Sequence, residues 1–126
     1  MNEMASIEVE LGPRPPAQTA TVALQGEVGD HELVELFGLL FDFARKGSYQ
    51  VVLDFSEVTH FDYRGVKPLI ARASCFRTAG GDIKLCGLSP YLTAIFRSAG
   101  AHDAFDVFGA APEARAAFQR AVFVAG

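Results

Sequence analysis

Apolar residues at every second position predict two strands near the start of the chain. The first runs from Ile7 to Leu11 with glutamates between its apolar residues, which is the period of a strand with one buried face. The second runs from Ala20 to Leu24 and is closed by Gly26. The segment between them, from Gly12 to Gln18, is rich in proline and predicts an exposed loop. No helix fits between the two strands, so an antiparallel pair is the simplest interpretation.

A helical period follows and predicts a helix from Asp30 to about Lys46 that stops at Gly47. Its apolar residues spread over roughly 220° of the helix surface. That width exceeds what covering one side of a sheet requires. Two interpretations stay open: the helix is packed deeply between neighbours, or Leu39 and Phe43 form part of a partner surface.

The segment from Gln50 to Gly65 predicts a short buried strand over residues 51–53 and then a tight acidic connection. Asp62 is placed to cap a helix that runs to Ala79, where a glycine pair stops it. Pro68 would lie in the second turn of this helix, where it removes a backbone hydrogen bond.

The rest of the chain predicts two more strand–helix units. A fourth strand covers residues 83–86, Ser89 and Pro90 begin a helix, residues 105–108 form a short fifth strand, and Pro112 starts a final helix. The predicted order is β-β-α-β-α-β-α-β-α. Strands separated by helices run parallel, so we expect an α/β fold: a small mixed sheet with one antiparallel edge, packed by about four helices. We expect a single domain over residues 1–126, with its core at about 5–124.

Composition and charge narrow the classes of partner. Half of the residues are hydrophobic, and eleven are phenylalanine, so a core can form. The net charge of −4 and the pI near 5.3 oppose nucleic-acid binding and charge-driven docking on anionic lipid. No apolar run reaches the roughly 20 residues that span a bilayer, and the first residues lack the features of a signal peptide. We therefore expect a cytoplasmic protein.

The sequence offers little for catalysis or metal binding. Cys75 and Cys86 lack metal-ligand spacing and are expected to be free thiols. His60 has no second His or Cys at ligand spacing, and Asp62 already has a role as a helix cap. The glycines at 26 and 29 lack the lysine and the length of a phosphate-binding loop, so that segment is interpreted as a turn. With no nucleophile–base pair either, we expect neither an enzyme nor a cofactor.

Two cations at the start of the helix after Asp62 stand out. Arg64 and Lys67 lie where the helix dipole is positive, so the local stability of the helix does not explain them. Arg64 shares an outward stripe with Pro68, Ala71 and Cys75. This stripe is either a solvated helix face or a recognition face with positive potential, suited to an acidic partner or a bound anion.

Five blocks of sequence, in order, resemble the STAS domain (sulfate transporter and anti-sigma factor antagonist). They are LQGEV, VVLDFSEVTHFDYRG, the apolar helix after it, GGDIKLCGLSP, and SAGAHDAFDVF. The second block is similar to the family pattern V-L-D-L-S-x-V-x-x-I-D-S-S-G. The resemblance spans residues 7–118, and the family's fold has the element order predicted above.

The resemblance implies a non-enzymatic regulator. In the family, the serine pair after the aspartate includes the residue that a partner kinase, the anti-sigma factor, phosphorylates. The pair here is Tyr63–Arg64, and Arg64 at the usual phospho-acceptor position cannot accept phosphate. Ser56, Thr59 and Tyr63 carry the nearby hydroxyl groups. The resemblance therefore implies the fold and the partner-binding role without phosphorylation at this position.

We expect a signalling module, similar to bacterial anti-sigma factor antagonists that regulate transcription, which binds through the helix from Asp62 to Cys75 and the preceding loop. The partner would be an anti-sigma factor, a serine-kinase-like protein or a stressosome-like component. The alternatives are a soluble accessory subunit of an ABC-type transporter and an anion- or nucleotide-sensing domain; homodimerisation stays open. The expected binding residues are Thr59, His60, Asp62, Tyr63, Arg64, Gly65, Lys67 and Cys75.

Overall fold

The computed structural model describes residues 6–11 and 18–125, and the predicted proline-rich loop, apart from Gln18, lies outside them. The strands are β1 (Ser6–Leu11), β2 (Ala20–Val28), β3 (Gln50–Phe61), β4 (Asp82–Cys86) and β5 (Val107–Phe108). The helices are α1 (Asp30–Arg45), α2 (Val66–Thr78), α3 (Pro90–Ser98) and α4 (Ala111–Ala125), with a 3-10 turn (Tyr63–Gly65) before α2. The predicted order of strands and helices is confirmed.

The five strands form one mixed sheet in the order β1-β2-β3-β4-β5. β1 pairs antiparallel with β2, while the other neighbouring pairs are parallel. Both the α/β fold class and the single antiparallel edge agree with the sequence prediction. Because β2 and β3 are parallel, their carboxyl ends meet at one edge of the sheet, and this is where the candidate site forms.

The strand alternation divides the buried residues between the two faces of the sheet. Val51, Leu53 and Phe55 face the main core with the apolar residues of α1, α2 and α3. Val52 belongs to a smaller cluster with Cys86 and two residues of α4. The main core therefore supports the elements around Asp62, and α4 covers the opposite face.

The middle strands are longer than the sequence predicted. β3 has 12 residues and continues through the polar segment that was interpreted as a tight acidic connection. β2 likewise runs past Gly26, which has a φ of +78° at a register shift and is neither the end of the strand nor part of a turn. Val28 and Phe61 are buried near the two strand ends, and this long-range packing overrides the local polar signal.

One of the two open interpretations of α1 and two further expectations need correction. Phe43 is buried and so forms no partner surface, whereas Leu39 is half-buried at the border of the main core; the exposed apolar residues of α1 are Val34 and Phe41. Pro68 is the third residue of α2, in the first turn, where a backbone N–H has no helical partner to lose. The fifth strand is only two residues long.

The first strand is less buried than its alternation predicted, since Val9 and Leu11 are 42% and 55% exposed. Both cysteines are free, as predicted. Within the described part of the chain, no helix is both long and apolar enough to cross a membrane.

Candidate partner-binding site

The site is built where β2 and β3 end side by side. The backbone N–H of Asp62 donates to the carbonyl of Val28 at 2.9 Å, which fixes the exit from β3 against the end of β2. The Asp62 side chain then accepts from the backbone N–H of Arg64 at 2.9 Å and caps the 3-10 turn. The predicted capping role of Asp62 is confirmed, with the 3-10 turn placed between the cap and α2.

Arg64 is held by two carboxylates. Its Nε and Nη2 donate to Asp62 at 3.1 and 2.6 Å, and Nη2 also donates to Asp30 Oδ1 at 2.9 Å. Asp30 is the first residue of α1, so the guanidinium joins the start of α1 to the turn after β3. We call these three residues the Arg64 clamp. They account for a cation at the start of a helix, because the charge of Arg64 is paired with two carboxylates.

The clamp perturbs the protonation of both partners. Hydrogen bonds from the Arg64 side chain and backbone lower the pKa of Asp62 from 3.8 to about 2. The hydrogen bond to Asp62 and the charge of Asp30 raise the pKa of Arg64 above its usual value. Asp62 and Arg64 therefore keep their charges at neutral pH.

Gly65 fixes how closely the turn approaches α1. It is buried, and a Cβ placed on it would lie 2.6 Å from Leu33 Cδ2, well inside van der Waals contact. Val66 and Leu69, which follow on α2, are fully buried. The backbone of the turn thus packs against the core, while the side chains of Tyr63 and Arg64 are exposed.

An open groove lies beside the clamp, between the start of α2 and the end of α3. It has a volume of about 480 Å³ and is lined by Tyr63, Arg64, Lys67 and the segment 98–100. The side chain of Tyr63 is exposed, and Lys67 forms no ion pair with another described residue. The groove therefore offers an aromatic ring and an unneutralised ammonium group.

An aromatic contact lies close to the clamp in sequence, where the end of β3 meets the start of α3. His60 Nδ1 lies 2.7 Å from the hydroxyl of Tyr91, and the two rings are 5.8 Å apart. Tyr91 is exposed in the first turn of α3, which Ser89 caps through the Leu92 N–H at 3.1 Å. Tyr91 is not among the residues predicted for the site, because its contact with His60 depends on how the start of α3 packs beside the end of β3.

The expected binding residues are brought together only in part. Asp62, Tyr63, Arg64, Gly65 and Lys67 form one continuous segment at the clamp and the groove.

Three expected residues lie outside this segment, and one of them is His60, whose contact with Tyr91 is described above. Thr59 is exposed on β3, and Cys75 is exposed on α2, eight residues beyond Lys67, which is about 12 Å along a helix. Within the described ranges, no group of three or more His, Cys, Asp or Glu side chains could hold a metal ion.

The sequence is similar to a known protein family and to a bacterial relative. A family model described as "Mlab, STAS domain" matches residues 12–108. BtrV of Bordetella bronchiseptica, which carries the provisional name of an anti-sigma factor antagonist, is 29% identical over 99 residues, covering 79% of this chain and 85% of BtrV.

Solved structures share the fold at low sequence identity. The anti-sigma factor antagonist SpoIIAA in its unphosphorylated form superposes with a TM-score of 0.69 and 19% identity, covering 93% of this chain and 98% of SpoIIAA. The phosphorylated form of the Bacillus protein superposes with a TM-score of 0.67 at 19% identity, covering 92% and 99% of the two chains. Moorella thermoacetica RsbS, in a variant with a serine replaced by glutamate, has a TM-score of 0.72 at 15% identity, covering 90% and 97%.

Proposed function

The chain belongs to the STAS domain family, and on that premise we propose that it regulates a partner protein by binding it through the surface around the Arg64 clamp. It is an anti-sigma factor antagonist-like STAS domain, and such family members are generally non-enzymatic signalling modules. Its homologues imply a protein partner, an anti-sigma factor or a kinase. The binding surface would comprise the clamp, the groove beside it and the exposed tyrosine of α3.

The observation that carries the proposal is the identity and the pairing of residue 64. SpoIIAA exists in phosphorylated and unphosphorylated forms. A phosphate brings a charge near −2 and would change docking strongly. Arg64, at the position that the resemblance assigns to the acceptor, has no hydroxyl and is paired with Asp30 and Asp62. The surface would therefore stay in one charge state, and any regulation would act elsewhere.

Exposed aromatic residues support a protein partner at this surface. Tyr63 and Tyr91 are 65% and 54% exposed. Tyrosine is enriched at protein interfaces because its ring buries a large area while its hydroxyl keeps a hydrogen bond. Lys67, exposed in the first turn of α2, would pair with an acidic group of the partner.

The anion-sensing alternative is weakened by the same contacts. The guanidinium of Arg64 already donates to two carboxylates, so Lys67 is the remaining cation of the groove. An NMR titration with inorganic phosphate tests this alternative. Backbone shifts at Gly65 and Lys67 that saturate with phosphate would favour a sensing domain over the proposed function.

The proposal is tested by affinity capture from lysate of the source cells, with the retained proteins identified by mass. The baits are the wild type, Arg64→Ser, Arg64→Glu and a matched charge reversal, Arg45→Glu, at an exposed arginine on the far end of α1. We expect an anti-sigma factor or kinase to be retained by the wild type and Arg45→Glu and lost with Arg64→Glu. Capture of a transporter ATPase instead would favour the accessory-subunit alternative.

The same lysate supplies a test of phosphorylation. After incubation with ATP, the intact mass of the wild type should show no added phosphoryl group, whereas Arg64→Ser restores a hydroxyl at the assigned position and should gain one. A phosphoryl group on wild-type Ser56, Thr59 or Tyr63 would contradict the proposal that this surface stays in one charge state.

A further inference from the structure

Within the described residues, the outer edge of β1 is unpaired. Among the described strands, β1 pairs only with β2. Its residues Ile7, Val9 and Leu11 lie directly opposite Leu24, Val22 and Ala20, and therefore on the face of the main core. Unlike those partners, Val9 and Leu11 remain largely exposed. An exposed strand edge beside exposed apolar side chains is a template for a further strand.

The second half of α1 forms the opposite wall of a groove along this edge. The groove has a volume of about 740 Å³ and is lined by Ile7, Val9, Glu35, Gly38, Leu39, Phe41 and Asp42. Phe41 is 56% exposed, and Leu39 lies at the border of the main core. We call this the β1–α1 groove. It lies about 12 Å along α1 from Asp30, and so it is distinct from the Arg64 clamp.

Gly38 has no role in the fold that explains it. Glycine in a helix interior is less stable than alanine, and it is usually kept for a positive φ or a close contact. Gly38 does not have a positive φ, and a Cβ placed on it would meet nothing within 4 Å. The wall of the groove is therefore open at Gly38, with room for a methyl group, and a larger side chain there would extend into the groove.

The charges of the groove select the kind of occupant. Glu8 and Glu10 are exposed on β1 and form no ion pair with another described residue. Two copies of β1 paired antiparallel around Val9 would place Glu8 of one copy opposite Glu10 of the other. Like charges directly opposite are destabilising, so the edge disfavours a second copy of this chain. A strand with cationic residues at those positions would gain instead.

We propose that the β1–α1 groove binds an extended segment of a partner protein, which adds a strand to the edge of β1. Lys or Arg residues of this segment would lie opposite Glu8 and Glu10 on one face. Its apolar residues would alternate with them and cover Val9 and Phe41 on the other face. This interaction is separate from binding at the Arg64 clamp, so the chain has two protein-binding surfaces.

The test uses three labelled hexapeptides: alternating Lys and Val, alternating Glu and Val, and alternating Lys and Ser. Fluorescence anisotropy should give the tightest binding for the Lys/Val peptide, with both others weaker by about 10-fold or more. Gly38→Leu fills the groove and should reduce binding of the Lys/Val peptide by a similar factor, while Gly38→Ala, whose methyl group enters open space, should keep it. Hydrogen exchange at β1 should slow only when the Lys/Val peptide is bound.

A second test exchanges the charges on β1, so that its result does not depend on how Gly38→Leu affects folding. The double variant Glu8→Lys and Glu10→Lys should prefer the Glu/Val peptide, with circular dichroism spectra confirming that each variant is folded. Failure of the wild type to bind the Lys/Val peptide, or an unchanged preference in the double variant, would overturn the proposal. A wild-type dimer that Gly38→Leu dissociates would assign the groove to a second copy and would also overturn it.

Discussion

The side chain of Arg64 joins Asp62 to Asp30, a residue 34 positions before Arg64 in the sequence, because both carboxylates accept its hydrogen bonds. Judged from the helix start alone, Arg64 has an unfavourable position, because a cation there lies near the positive end of the helix dipole. The ion pairs with the two carboxylates make the position favourable. Sequence could supply the cap at Asp62, which depends on neighbours, but not the contact with Asp30, which depends on how α1 lies beside the end of β3.

The clamp predicts how Asp62 titrates. Its pKa of about 2 lies below the ordinary value of 3.8, so the ionised carboxylate is favoured in the folded state. The clamp's contribution to stability is complete above pH about 4 and is lost as the pH falls toward 2. Carbon-detected NMR should show the Asp62 carboxyl titrating near pH 2 in the wild type and closer to 3.8 in Arg64→Ser. An unchanged pKa in the variant would refute the clamp.

Two glycines predict opposite results for the same substitution. A Cβ at Gly81 would lie 2.0 Å from the backbone carbonyl oxygen of Tyr49, which cannot move aside as a side chain can. Gly81→Ala should therefore cost about 1–3 kcal/mol as overpacking. Gly38→Ala should instead stabilise α1 by about 0.5–1 kcal/mol, because its Cβ meets open space. Urea unfolding of both variants measures this, and a loss of stability at Gly38 would show that the space is not open.

At the scale of elements, β3 shows where the sequence pattern stops predicting the structure. Its first half is an apolar run that pairs on both sides, with β2 and β4, and the sequence predicts it correctly. Beyond Asp54 the strand pairs with β2 alone, and its exposed polar residues have the composition of a turn. Pairing with a neighbouring strand is a long-range contact, so the composition of the segment does not reveal it.

The faces of α2 give a prediction for the whole helix. Leu69 is fully buried against the main core, as its helical spacing predicts. Leu69→Ala should lower the free energy of unfolding by about 2–5 kcal/mol, because it removes buried contacts and leaves a cavity. Lys67→Ala, two residues away on the exposed side, is the matched control and should leave the unfolding midpoint unchanged. Equal effects of the two changes would mean that α2 packs through a different face.

For the whole molecule, alternation and helical spacing were sufficient to predict the element order, the mixed sheet and most of the core. They placed Asp62, Arg64 and Lys67 at one site because these residues are adjacent in the chain. They could not find Tyr91 beside His60, or the exposure of Val9 at the sheet edge, because both depend on how separate elements pack. The residues that are adjacent in the chain can therefore be predicted from the sequence, whereas the contacts between separate elements depend on the topology of the fold.

The central claim is that the surface at the Arg64 clamp binds a protein partner in a constant charge state. The most direct measurement is isothermal titration of the partner recovered by affinity capture into the wild type, Arg64→Glu and Arg45→Glu. The account predicts equal affinity for the wild type and Arg45→Glu, and binding weaker by about 10-fold or more for Arg64→Glu, with circular dichroism spectra confirming that each variant is folded at the temperature of the titration. Equal affinity for all three would contradict it, since the partner would then bind elsewhere on the domain.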